Sequence, residues 1–224
     1  MKPFKGKLVL SLFAFAVLSL GSAMSARADI VFTQGPTSAA DENIQFNDPG
    51  SISTGNPVTG RTNQTSTAFR FSSSTPGEVL TTPSSGQARI EATDGSFTNL
   101  TIQPLMAGVS FTELDFRLTV LGQGGSGTGF VTFTVVEDNG QVNTSQAFAI
   151  NSSGENPFEV RAINNQRIFS VTINSTVALT DIRQVRVGGV GTRTPTAVPE
   201  PATMILLGTG LAGIAAKVRR RRQE

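Results

Sequence analysis

Residues 130–150 read FVTFTVVEDNGQVNTSQAFAI, and the period of that stretch decides the fold. Val131, Phe133 and Val135 alternate with Thr132 and Thr134, so an extended chain here has one apolar side and one polar side. Asn139-Gly140 comes next, and the pair predicts a type I′ turn, because Gly140 accepts positive φ without a Cβ clash and Asn tolerates it better than most residues. The remainder of the stretch returns as the second arm of a hairpin. Working outward, TELDFRLTV at 112–120 puts Leu114, Phe116, Leu118 and Val120 on one face, with Glu113, Asp115, Arg117 and Thr119 on the other. PFEVRAI (157–163), RIFSVTIN (167–174) and DIRQVRVGG (181–189) succeed it at close spacing, giving Phe169, Val171 and Ile173 as a further inward set. Upstream, AFRF (68–71), QARIEA (87–92) and FTNLTIQ (97–103) have the same character.

No window between residues 29 and 188 keeps a helical apolar period. About ten short strands punctuated by Gly, Pro, Asn and Ser predict an all-β protein, a single β-sandwich domain of jelly-roll type. A β-helix would need a fixed-period repeat, which the sequence lacks. The polar segment Asp41–Pro57 is expected to form loops, and 189–198, GVGTRTPTAV, to be a linker extended by Pro195.

The 224 residues include no Cys, His, Trp or Tyr. That composition removes thiolate nucleophiles, Ser-His relays, disulfides and the usual zinc sites. The net charge of +2 is unevenly placed: between Asp29 and Val198, nine arginines and no lysine stand against fourteen carboxylates, a balance of −5. Nucleic-acid binding requires clustered cations to displace phosphate counterions, and the body holds no such cluster.

The two ends carry the positive charge. In front, Lys2, Lys5 and Lys7 precede the run Leu8–Leu20, and Ala26-Arg27-Ala28 closes the segment. A basic start, a short apolar run and small residues at the two inspected positions predict a signal peptide over 1–28, cut by signal peptidase between Ala28 and Asp29. At the back, VPEPATMILLGTGLAGIAAKVRRRRQE occupies 198–224. Pro199 and Pro201 hold Glu200 extended, since each ring fixes φ and disfavours helix in the residue before it. The apolar run 202–216 would reach only about 22 Å as a helix, against a hydrocarbon core of about 30 Å. Arg219, Arg220, Arg221 and Arg222 are a cytoplasmic stop-transfer cluster by the positive-inside rule.

Pro199-Glu200-Pro201, the apolar stretch and the terminal arginines, in that order, resemble the PEP-CTERM sorting signal of Gram-negative bacteria. The resemblance spans 199–224 and implies processing by an exosortase, a membrane cysteine protease-transpeptidase that cuts near the motif. It also implies a transient inner-membrane anchor through a short C-terminal transmembrane helix, and export to the cell surface or an exopolysaccharide-rich extracellular matrix such as a biofilm. It implies nothing about what the body does.

Within the body the sequence assigns no catalytic residue, no metal ligand and no cofactor. Glu113 and Asp115 lie two apart on one strand face and have the minimum equipment of a glycosidase, but a solvated outer face with Arg117 as counter-charge explains them as well. Glu137-Asp138-Asn139-Gly140 and Asp94-Gly95 are oxygen-rich turns that suit calcium, yet neither has the spaced loop of a calcium site, and Asx turns account for both. The glycine run 122–129 lacks the Lys-Ser/Thr and the helix of a phosphate loop. Arg183 and Arg186, three apart, are expected on opposite faces of a regular strand, one of them paired to a carboxylate such as Asp181. The leading expectation is a non-enzymatic exported surface protein. The alternatives are an exopolysaccharide-binding module, working through Asn, Gln, Thr and Arg in the absence of Trp and Tyr, and a glycoside hydrolase.

Overall fold

The structure is a computed structural model that describes residues 29–35, 40–83, 89–122 and 128–192. Every regular element among them is a β-strand, numbered β1 to β16 along the chain. The longest, β15 (Ile168–Gly188), runs for 21 residues. Straight, it would extend about 70 Å, well beyond the ~40 Å diameter that a radius of gyration of about 15 Å implies for a compact domain of this size. It therefore bends, and its irregularities mark the bends. A register break between Asn174 and Leu179 divides it into two halves that belong to different layers.

The first half of β15 lies between β11 (Thr128–Glu137) and β8 (Phe97–Pro104). The layer continues from β8 through β5 (Ala68–Ser72) to β4 (Val58–Thr62). On its other side β11 carries β12 (Val142–Thr144) and β13 (Phe148–Asn151). The second half of β15 pairs with β10 (Glu113–Val120), which pairs with β14 (Glu155–Ala162) and that with β1 (Ile30–Gln34). Its opposite edge takes β7 (Arg89–Ala92) and then β2 (Glu42–Gln45). Since β2 also pairs with β4, the two layers close on each other at that side, and all of these pairings are antiparallel. Two short strands, β3 (Thr54–Gly55) and β6 (Leu80–Thr81), extend the β7 edge.

The result is a β-sandwich, as the alternating pattern predicts. Its core is where the inward faces meet: Phe133 of β11 lies 5.6 Å from Phe116 of β10 and 5.0 Å from Phe158 of β14, ring centre to ring centre. Leu114, Phe116, Leu118 and Val120 are all buried, and so are Val131, Phe133 and Val135.

Three local expectations are corrected. The reversal at Asn139-Gly140 is not type I′: Gly140 has φ +86, but Asn139 is not at positive φ. Gly140 N donates to Glu137 O at 3.0 Å, and Glu137 N to Gln141 O at 2.8 Å, the arrangement of a type I turn closed by a left-handed glycine. The paired left-handed residues are instead Asn164 and Asn165 (φ +54 and +62), where the chain passes from β14 to β15. Phe169 is half-buried and Ile168 takes its inward place, because Val136 faces Ser170 while Glu137 faces Ile168, leaving Phe169 in a bulge. Asp41–Pro57 contains strands as well as loops. Glu42 and Ile44 are the inward pair of β2, and a buried carboxylate disguises the alternation.

Glu42 is held by the β4–β5 turn, where its Oε2 accepts from Thr65 N at 2.8 Å and Thr65 Oγ1 at 2.9 Å. Burial pushes its carboxyl up, but these hydrogen bonds outweigh that and leave it below the ordinary glutamate range. Strand pairing also continues past Gly188: β16 (Gly191–Thr192) pairs with β9 (Val109–Ser110). Arg167 donates from Nη2 to Gly189 O at 2.6 Å and to Ser110 O at 2.8 Å, tying that end of the body down.

Candidate functional site

β10 is a central strand, and that changes the environment of its polar face. Glu113, Asp115 and Arg117 share a side as expected, but Asp115 is only 4% exposed. Across β10 their register partners are Arg161, Glu159 and Pro157 on β14, and Gly188, Arg186 and Arg183 on β15. The counter-charge assignment is therefore different from the sequence expectation. Arg117 Nη1 reaches Glu155 Oε2 at 2.5 Å and serves neither Glu113 nor Asp115. Arg183 donates to both carboxylate oxygens of Asp181, the Nε bond measuring 2.8 Å, and lies 3.4 Å from Glu155 Oε1.

Arg183 and Arg186 are on one face, not two. Between Arg117 and Asp115 lies one residue of β10, but between their partners Arg183 and Arg186 lie two residues of β15. The extra residue makes a bulge whose first member, Gln184, has φ +51. Non-glycine residues in the left-handed region pay about 1–2 kcal/mol, so the bulge is held by its surroundings rather than by local preference. Nothing in the pattern DIRQVRV signals it, since a Gly at 184 would be the usual mark.

The bulge borders a groove of about 980 Å³, whose lining includes Asn43, Gln45, Asp115, Arg117, Gln184 and Arg186. Its wall is made by β2 and the segment after it. β2 sits close because β4 carries Gly60: a Cβ there would stand 2.7 Å from Ile44 Cγ2, 2.8 Å from Gln45 O and 2.9 Å from the Phe46 ring. Arg186 Nε donates to Asn43 Oδ1 at 2.8 Å. Asp115 Oδ2 accepts from Ala40 N at 3.4 Å, whereas its Oδ1 is buried and has no hydrogen-bond partner among the described residues.

Glu113 is not part of that lining. Burial raises its carboxyl above the ordinary range; nearby Arg161 opposes the shift, and Glu159, Asp115 and Asp41 add to it. The two carboxylates of the candidate pair thus face different surroundings. The oxygen-rich turns are engaged internally. Glu137, 2% exposed, accepts from the side-chain amides of Asn139 (3.1 Å) and Asn143 (2.5 Å), and Asp94 Oδ1 accepts from Ser96 N at 3.3 Å. Among the described residues no three acidic side chains gather into a metal-binding group.

Of the processing residues, Asp29 is described: its carbonyl accepts from Ile163 N at 2.8 Å and its Oδ1 from Asn164 Nδ2 at 2.9 Å. Ala26, Ala28, Pro199, Glu200, Pro201 and Arg219 to Arg222 lie outside the described residues, as does most of the glycine run 122–129. No helix among the described residues is long and apolar enough to cross a membrane.

Fold and site together define an all-β sandwich protein with a polar groove at a strained bulge. Its tail says more: residues 197–222 match the PEP-CTERM protein-sorting motif, a signal for export to the cell surface and processing by an exosortase. No curated protein matches the chain. Among solved structures, the chain is similar to the CBM22-1 xylan-binding domain of Paenibacillus barcinonensis Xyn10C. That similarity has 12% identity and a TM-score of 0.37, covering 71% of this chain and all of that one.

Proposed function

We propose that this is a non-enzymatic protein of the cell surface or extracellular matrix, delivered by a removable signal peptide and sorted through its C-terminal tail. The observation that carries the reading is the sorting motif at 197–222 behind a folded β-sandwich. Signal peptidase cuts between Ala28 and Asp29. The apolar run 202–216 then holds the chain in the inner membrane, with Arg219 to Arg222 on the cytoplasmic side, until exosortase acts near Pro199-Glu200-Pro201. Intact mass of the protein from cell surface and medium tests this, in parent cells and in cells lacking the exosortase. A species beginning at Asp29 and ending near Val198, absent without the exosortase, is expected. Retention of 206–222 in parent cells would make the tail a plain anchor.

The second reading is that the body contacts exopolysaccharide, without cutting it. The groove favours it, because its lining mixes carboxamides, guanidinium groups and carboxylates that can donate to and accept from hydroxyls. A hydrolase reading has less support, since Glu113 stands outside the groove that Asp115 lines.

A further inference from the structure

A buried carboxylate oxygen without a donor is rare in folded proteins, because leaving it unpaired costs more than a hydrogen bond is worth. Among the described residues Asp115 Oδ1 is such an oxygen, on a residue 96% buried that lines the groove. Oδ1 is itself closed off from solvent, so an O–H or N–H donor in the groove reaches it as the Asp115 carboxylate rotates toward that side.

The rest of the lining narrows what the donor belongs to. Two carboxylates, Asp48 and Asp115, stand with two arginines, of which Arg117 is already paired to Glu155, so the groove offers no cluster of cations to a polyanion. Gln45, Asn47 and Gln184 bring carboxamides that each pair a donor with an acceptor, and Arg186 has four N–H groups beyond the Nε bond to Asn43. Phe46, half-buried, adds an apolar surface with Pro83 and Pro157. Alternating donors and acceptors around a small apolar platform complement a pyranose, which has hydroxyls at its rim and C–H bonds on its face.

We infer that the groove beside the Gln184 bulge binds an uncharged, hydroxyl-rich polysaccharide, with Asp115 Oδ1 accepting from a sugar hydroxyl while Arg186 and Gln184 donate. This rests on reading the body as the part that contacts polysaccharide. The strain at Gln184 then has a use, since the bulge that carries it brings Arg183 and Arg186 to one face and puts Gln184 in the lining of the groove.

The test is calorimetric titration of the full chain, purified in a detergent without a sugar headgroup, with cellohexaose, mannohexaose, xylohexaose and hexagalacturonic acid. At least one neutral hexaose is expected to bind with a Kd below about 1 mM. Asp115→Ala and Arg186→Ala are each expected to weaken it at least tenfold, while Asp115→Asn, which keeps an acceptor, recovers most of the loss. Far-UV circular dichroism checks each variant, and if Asp115→Ala does not fold, Arg186→Ala and Gln184→Ala decide. Neutral binding that survives all of these variants overturns the groove assignment and leaves the polysaccharide reading standing. Stronger binding of hexagalacturonic acid than of every neutral hexaose overturns the uncharged ligand. No binding of any of the four by the folded parent chain overturns both.

Discussion

Arg183 is the residue whose removal should damage the body most for its size. Its guanidinium grips both oxygens of Asp181, a carboxylate only 2% exposed, and touches Glu155 as well. Asp181 also anchors the carboxyl edge of β15 between Thr119 on β10 and Glu91 on β7. Substituting Arg183→Met keeps the aliphatic volume but leaves Asp181 buried without its cation. Breaking a buried pair from one side costs about 3–5 kcal/mol. With a urea dependence of about 2 kcal/mol per M, the unfolding midpoint should fall by about 2 M. The chain has no Trp or Tyr, so far-UV circular dichroism is the suitable probe. Arg117→Met is the control. Its partner Glu155 is 29% exposed and Arg117 itself 41%, a pair worth less than about 1 kcal/mol. The double variant Arg183→Met/Asp181→Leu, which removes both charges, should recover much of the loss. A midpoint for Arg183→Met within 0.5 M (about 1 kcal/mol) of the parent, or equal to that of Arg117→Met, would refute the argument.

The same geometry sets other outcomes. Phe133→Ala empties the centre of a ring cluster that includes Phe116, Phe148 and Phe158, and should cost about 3–5 kcal/mol in urea unfolding. Gln184→Gly relieves the left-handed backbone and should raise stability by up to about 1 kcal/mol, while its lost carboxamide lowers hexaose affinity in the same preparation. Gly60→Ala forces β4 away from Gln45 O and the Phe46 ring, so a loss of about 1–3 kcal/mol together with weaker groove binding is expected. The raised carboxyl of Glu113 sets a pH dependence. Its contribution is fully present below the unfolded pKa and is lost as pH rises through the folded one. Stability profiles of Glu113→Gln and parent should therefore separate in the variant's favour as pH climbs through and above the glutamate range; parallel profiles would contradict the burial.

Alternation made the strands readable. Wherever one face is buried in an antiparallel layer, side chains repeat every second residue, so Leu114 to Val120 and Val131 to Val135 announced their orientation in advance. The sorting tail was readable for a different reason: Pro199-Glu200-Pro201, an apolar run and four arginines act as a linear signal, recognised without the body. Alternation failed at the places where one extra residue shifts the period. Phe169 and Gln184 sit in bulges, and each reverses the faces of the residues beyond it, which is why Arg183 and Arg186 ended up together.

Hydrophobic alternation therefore determined an all-β body and most of its core faces, and the resemblance of the tail to a known sorting motif gave its address, because both are local properties of the chain. The groove was decided only by the tertiary structure. Asn43 and Arg186 are 143 residues apart in sequence and meet because β2 closes against the far end of β15. Asp115 reads as a surface charge in TELDFRLTV, and it became a buried acceptor, while Glu113 and Arg117 on the same face are only half-buried, because the chain at Ala40 packs its N–H against that carboxylate.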